Sequence, residues 1–210
     1  QDTHTIMNKY MLAAAAGAVL VSGAAMAQDF KEGDWLVRAR VVHLDAANKD
    51  SAGLGVSIDD KTLPEVDFTY FFNKNLAAEL LLTVPQKQKV FVGSTQIGSL
   101  KHLPPTLTLQ YHFTGLGQFR PYLGAGVNYT RLSSVRFDPA VVTALNPSVK
   151  KNSWGLALQA GVDMPIGGGC LLNLDLKKVQ IGTTVYSNGV SAGKFKVDPL
   201  LLGIGFGKRF

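Results

Sequence analysis

Apolar residues recur at every second position in eight separate stretches of this chain. In Leu76, Ala78, Leu80, Leu82 and Val84 the intervening positions are Ala77, Glu79, Leu81 and Thr83. In Leu103, Pro105, Leu107, Leu109, Tyr111 and Phe113 they are Pro104, Thr106, Thr108, Gln110 and His112. Successive side chains leave a pleated backbone on opposite faces, so a period of two predicts strands. The pattern places them at about 34–45, 61–72, 75–84, 102–113, 119–132, 153–166, 170–181 and 195–209. Each is about ten residues long, roughly what a tilted strand needs to cross a bilayer's hydrocarbon core.

The connections alternate in length. Residues 72–75, 114–118 and 165–169 read as short turns, whereas 46–60, 85–101, 133–152 and 182–193 are longer, polar and rich in Gly, Ser and Lys. Short turns at one end and long loops at the other describe a barrel in the outer membrane of a Gram-negative bacterium, with both termini periplasmic. The predicted fold is all-β: an eight-stranded antiparallel transmembrane β-barrel.

A soluble lipocalin-like barrel also alternates, with its apolar face inward. Four features favour the membrane orientation. Trp35, Tyr70, Phe72, Tyr111, Phe113, Phe119, Tyr129, Trp154, Phe206 and Phe210 lie on the apolar face near strand ends, where an interfacial aromatic girdle belongs. The opposite face is small, with Gly124, Gly126, Gly155, Ala157, Gly161, Gly203, Gly205 and Gly207, as a crowded lumen requires. That face also carries Arg38, Arg40, Arg120, Lys177 and Arg209 against Glu65, Asp67, Glu79, Asp163 and Asp175, a balance that a buried, paired interior needs. Last, Phe210 with Phe206, Ile204 and Leu202 resembles the carboxy-terminal signal read by the barrel insertion machinery, although Lys208 replaces an aromatic often found there.

Sorted by height, the charges form a lumen plug with apolar inward positions above it: Val42, Leu44, Leu63, Leu132, Phe195 and Val197. An eight-stranded barrel is just wide enough to be filled by side chains or to hold one small ligand. The expectation is a greasy upper vestibule over an ionic plug, or else a lumen packed throughout.

Composition refines this picture. Lys9, the apolar run Met11–Val21 and the small-residue pattern Ala25-Met26-Ala27 predict a secretory signal over residues 1–27, with residues 1–6 upstream of a start at Met7 and the barrel over 28–210. The formal net charge of +6 is modest, and no basic run suggests nucleic acid. It is read as contact with anionic lipid and lipopolysaccharide head groups, by Lys87, Lys89, Lys101, Arg136, Lys150 and Lys151. Cys170 is the only cysteine, which excludes an intrachain disulfide.

Pro85 ends the third predicted strand, and Pro104 and Pro105 open the fourth. Proline has no N–H to give a ladder, so pairing between these strands should stop near the loop end. That leaves two readings: a lateral opening, or plain strand ends such as Pro64 and Pro199 make.

Several motifs resemble the OmpW family of small outer-membrane proteins. They are His102-Leu103-Pro104-Pro105-Thr106-Leu107, Phe119-Arg120-Pro121-Tyr122-Leu123-Gly124-Ala125-Gly126-Val127-Asn128-Tyr129-Thr130, Ser153-Trp154-Gly155, Gly161-Val162-Asp163, Asp198-Pro199 and Asn75-Leu76-Ala77-Ala78-Glu79-Leu80-Leu81. The resemblance implies a narrow hydrophobic channel that passes small apolar solutes sideways between strands, which favours the opening at Pro85, Pro104 and Pro105. Some members also serve as bacteriocin receptors. It further implies that Leu81 helps close the channel floor. The partner position, aromatic in the family, is Lys177 here, so a charged floor near Asp175 or Glu79 is expected.

Catalysis needs a nucleophile, base and orienter within reach of one another. His112 faces the lumen away from any exposed Ser, His102 lies by Ser99 without an acid at strand spacing, and His43 is on the lipid-facing register. No metal-ligand cluster or cofactor motif is present. The expected function is passive uptake of small hydrophobic compounds; a closed structural or receptor barrel is the alternative.

Overall fold

The computed structural model describes residues 29–51, 53 and 55–210, so the expected signal segment lies outside the described residues. Among these residues period-two alternation becomes a run of strands broken by a short helix. In chain order these are β1 (Trp35–Asp45), β2 (Lys49–Asp50), β3 (Val56–Ile58), β4 (Lys61–Phe71), β5 (Leu76–Thr83), β6 (Gln86–Val92), β7 (Thr95–Leu103), β8 (Thr106–His112) and β9 (Arg120–Phe137). Helix α1 (Pro139–Leu145) follows, capped by the Asp138 side chain, and then β10 (Pro147–Val149), β11 (Asn152–Gly167), β12 (Cys170–Val179), β13 (Gly182–Ser187), β14 (Val190–Lys196) and β15 (Leu200–Arg209).

Eight of these strands close a ring in the order β1, β4, β5, β8, β9, β11, β12, β15, each antiparallel to its neighbours, with β15 returning to β1. Closure removes every free edge from the ring, which is the condition for exposing strands to lipid. The seam between β1 and β15 runs from Asp45↔Leu200 to Leu36↔Arg209, and the main chains of Trp35 and Phe210 exchange two further hydrogen bonds.

The outer face is apolar and exposed, as at Val41, Leu107, Leu158 and Ile204, while the charged set faces inward and is buried. Most of the aromatic girdle (Trp35, Tyr70, Phe72, Tyr111, Phe113, Phe206 and Phe210) rings the end that carries the short turns. Tyr129 and Trp154, with ring centroids 4.8 Å apart, mark the other interface. Inward glycines allow close strand approach. A Cβ at Gly126 would strike the Leu107 carbonyl, and one at Gly205 the Ala39 carbonyl.

The long connections are not the loops that their polarity predicts. The β6–β7 hairpin stands on the upper half of β9, with β3 paired to β6. A separate sheet, in the order β10, β13, β14, β2, forms the rest of a collar above the ring. Hydrogen-bonded ladders explain this: polar strands form readily where one face is solvated and the other covers an apolar interior.

Candidate functional site

The lumen is divided into tiers, and the middle one is ionic. Arg38 grips Asp163 with two prongs, Nε to Oδ1 at 3.1 Å and Nη2 to Oδ2 at 2.7 Å, and its Nη1 lies 3.0 Å from Asp67 and 3.4 Å from Glu79. Arg40 Nη1 donates to Glu65 at 2.7 Å, and Nη2 to Glu79 at 3.2 Å; Nη2 also lies 2.9 Å from Asp67 Oδ2, an ion pair without hydrogen-bond alignment. Lys177 Nζ bridges Glu65 at 2.8 Å and Asp175 at 2.9 Å. Taking charges out of water costs several kcal/mol each unless the remaining lone pairs are satisfied. Neutral side chains do that here. Tyr122 donates to Asp175 at 2.6 Å, Gln159 to Asp175 at 2.7 Å and Glu79 at 3.1 Å, Asn173 to Asp163 at 2.8 Å, and Thr69 to Asp67 at 3.0 Å.

The expected five-against-five balance does not describe this cluster. It holds Arg38, Arg40 and Lys177 against Glu65, Asp67, Glu79, Asp163 and Asp175. Arg120 and Arg209 sit below it at the turn end, facing Asp29 at 3.5 Å and Asp34 at 2.8 Å. Both acids precede β1; Asp29 lies outside any alternating segment, whereas Asp34 opens the predicted 34–45 segment on the inward parity of Arg38 and Arg40 and was not counted with the lumen charges.

Beneath the ionic tier lies an apolar floor that the sequence pattern did not single out. Phe30, Leu36, Phe71, Ala77 and Leu171 are buried together. Phe30 stacks on Phe71 at 3.9 Å, and both the Arg120 and Arg209 guanidiniums lie over its ring, at 4.8 and 5.5 Å. His112 stands between Phe71 and Tyr122, its Nε2 3.0 Å from Gln110 Oε1. The turn end is therefore stopped twice, by stacked rings and then by charge.

Above the ionic tier the lining turns apolar. Val42, Leu44, Leu63 and Phe195 are buried in one cluster with Ala46, Ile58 and Val90, and Val197 packs against it. Among the described residues this lining holds a lower and an upper cavity of about 30 Å³ each. The lower is bounded by Leu81, Glu65 and Lys177, so its floor is charged; the upper is lined by Leu132, Leu100, Phe195 and Val197. Both reach Leu44, His102 and Ile181.

Between β5 and β8 the ladder ends at Leu81↔Thr106 and pairing resumes only at Gln86↔His102 in the collar hairpin. Pro85, Pro104 and Pro105 lie in this interval. The carbonyls of Pro104 and Pro105 turn to β9 instead, accepting from Asn128 Nδ2 at 3.2 Å each, and Tyr129 N–H donates to the Pro105 carbonyl at 3.1 Å. Pro104, Thr83, Gln86 and Thr106 line the lower cavity, so it abuts the interrupted ladder.

His102 is buried beneath the collar, opposite Leu132 and so three residues beyond the Tyr129 interface. Burial, and then the Lys61 ammonium, hold its imidazole down at about 4. His43 is exposed and contacts Thr62 at 3.2 Å. Among the described residues no group of three or more His, Cys, Asp or Glu is arranged to hold a metal ion.

Known proteins share this architecture. A family model described as the OmpW family matches residues 31–210. The chain is 34% identical over 214 aligned positions to Outer membrane protein W of Escherichia coli, covering 97% of this chain and all of that protein. It is 30% identical over 165 positions to the dibenzothiophene metabolism operon protein PahQ of Pseudomonas aeruginosa, covering 75% of this chain and 76% of the other. The crystal structure of the outer membrane protein OprG from Pseudomonas aeruginosa superposes with a TM-score of 0.73 at 29% identity, over 87% of this chain and 98% of that one.

Proposed function

On the premise that this chain belongs to the OmpW family of outer-membrane barrels, we propose that it admits small hydrophobic compounds from outside and releases them sideways into the membrane between β5 and β8. In this reading the turn end faces the periplasm and the collar faces outward through the lipopolysaccharide layer. The observation that carries it is the lower cavity, apolar on most of its wall, floored by Lys177 and Glu65, and abutting the ladder interval at Pro104 and Pro105. A solute held there meets charge below and lipid beside it.

Burial stabilises an apolar solute by roughly 25 cal/mol per Å² removed from water. The acyl chains offer a comparable gain, so release to the side is not uphill, whereas passage through the ionic tier is. PahQ, a relative named for a dibenzothiophene metabolism operon, supports an apolar, polycyclic solute class. No covalent step is needed for such passage.

A second reading, a closed structural or receptor barrel, is favoured by the cavity size. Each cavity has room for little more than a water molecule. Uptake therefore requires the β5–β8 interval to widen. Replacing Pro104 and Pro105 with Thr restores two ladder donors and should slow naphthalene uptake by cells expressing the full chain several-fold. Unchanged uptake would sink the lateral route, and absence of uptake by the parent protein would leave the closed barrel.

A further inference from the structure

A second interruption of the wall ladder lies between β11 and β12. Their ladder stops at Ala157↔Val179. Above it, Asn152–Leu156 of β11 keep their ladder register with β9, while the chain after Ile181 departs into the collar sheet as β13. Side chains lace much of the seam. Gly182 N–H donates to Ser153 Oγ at 3.2 Å, Thr183 Oγ1 to the Lys150 carbonyl at 2.8 Å, and Leu156 N–H to Gln180 Oε1 at 3.4 Å. Two main-chain bonds complete it, Gln180 N–H to Leu156 and Lys150 N–H to Thr184.

Outside this seam lies a cleft of about 610 Å³. Ser153, Ile181, Gly182, Thr183 and Phe195 line both this cleft and the upper apolar cavity, so one layer of residues separates them. The cleft's lip is cationic. Lys150, Lys194 and Lys196 are exposed and join no ion pair among the described residues. The one acid on the lip, Asp198, already accepts the Ile181 N–H at 3.1 Å. Lys196 also stands directly opposite Lys49 across the β14–β2 ladder. Like charges facing each other across strands are destabilising, and an anion between them removes that cost. Trp154, 73% exposed beside Tyr129, sets the cleft at the membrane interface.

We infer that this cleft binds the carboxylate head of a medium-chain alkyl carboxylate and passes its chain through the laced seam into the apolar upper lumen. The inference rests on the uptake reading above and adds a second solute class with its own doorway. The lysines hold the head at the surface, Trp154 orients the amphiphile, and the glycine at 182 keeps the wall thin where the chain must cross. A plain hydrocarbon has no head for the lysines and no need of this route.

The test compares uptake of decanoate and decane by cells expressing the full chain. The triple variant Lys150→Gln/Lys194→Gln/Lys196→Gln should lower decanoate uptake at least fivefold and leave decane within twofold. A staple, Ser153→Cys with Gly182→Cys, should block decanoate when oxidised and restore it on reduction, so the same folded molecule is its own control. Decanoate uptake indifferent to both changes overturns the inference while decane uptake preserves the reading it rests on; equal loss of both solutes overturns the doorway's selectivity. If the lysine variant sheds a co-purifying phosphate-bearing lipid yet takes up decanoate normally, the lysines hold a resident lipid and the inference falls. Failure of the parent chain to take up either solute removes the inference together with the uptake reading.

Discussion

Arg38 on β1 and Asp163 on β11 meet across the lumen through two parallel contacts of 3.1 and 2.7 Å, both side chains fully buried. The strands that bear them are not neighbours: β12 and β15 lie between. The pair therefore ties opposite walls of the ring and fixes its cross-section at the ionic tier.

Replacing Arg38 with Met keeps much of the side chain's length but strips Asp163 of its cation and leaves Asp67 and Glu79 to Arg40. Breaking a buried pair from one side costs about 3–5 kcal/mol. Urea unfolding in lipid, followed by heat-dependent gel mobility, should show that loss. The double variant Arg38→Met/Asp163→Leu should recover part of it, and Arg38→Lys should remain clearly destabilised because a point charge cannot reproduce the fork.

Lys177 and Glu65 join the ionic tier to the cavity above it. Removing both, as Glu65→Ala/Lys177→Ala, deletes one charge of each sign and opens volume at the vestibule floor. Planar-bilayer recordings should then show a rise in single-channel conductance over the parent barrel, larger than with Leu81→Ala, which widens the same cavity without touching the charges. Equal conductance in all three would mean that the aromatic stopper at Phe30 and Phe71 alone seals the pore.

His102 predicts an acid-sensitive collar. Its imidazole is held to about 4 by burial and by Lys61, against 6.5 when free. Between those values the unfolded chain binds a proton that the folded one refuses. The His102 contribution is therefore complete above about pH 6.5 and declines as pH falls toward 4, by about 1.4 kcal/mol for each pH unit inside that window. Imidazole NMR should show His102 neutral at pH 5.5, and His102→Gln should flatten the slope of stability over the same range.

The staves and their inward face were legible in the sequence because lipid on one side and a crowded lumen on the other impose a strict period of two. Alternation placed Arg38, Arg40, Asp67 and Glu79 inside and Leu80 and Leu107 outside, as observed. The collar was hidden by composition. Gln86, Gln88 and Val90 point inward between Lys87 and Lys89, and Gly93 turns with φ +57° between β6 and β7, yet so polar a segment read as a loop. Weighting alternation above polarity would have found that hairpin. Phe30 carried no such signal, because it precedes the first strand and its role appears only when Phe71, Arg120 and Arg209 come together around it. The pairing of the lower charges was missed in part for the same reason, since periodicity says nothing of Asp29; Asp34 had the inward parity of the 34–45 segment and was passed over at its first position.

Strand β9 runs unbroken from Arg120 to Phe137, its lower half held by β8 and its upper half by β7, with a bend at Ser134 where φ reaches +49°. One continuous beam thus supports both storeys of the molecule. A turret built that way has no hinge on which a separate cover could swing. On the proposed uptake reading, traffic through its walls must wait for neighbouring planks to fray apart and close again, which would make permeability a property of local hydrogen-bond lifetimes.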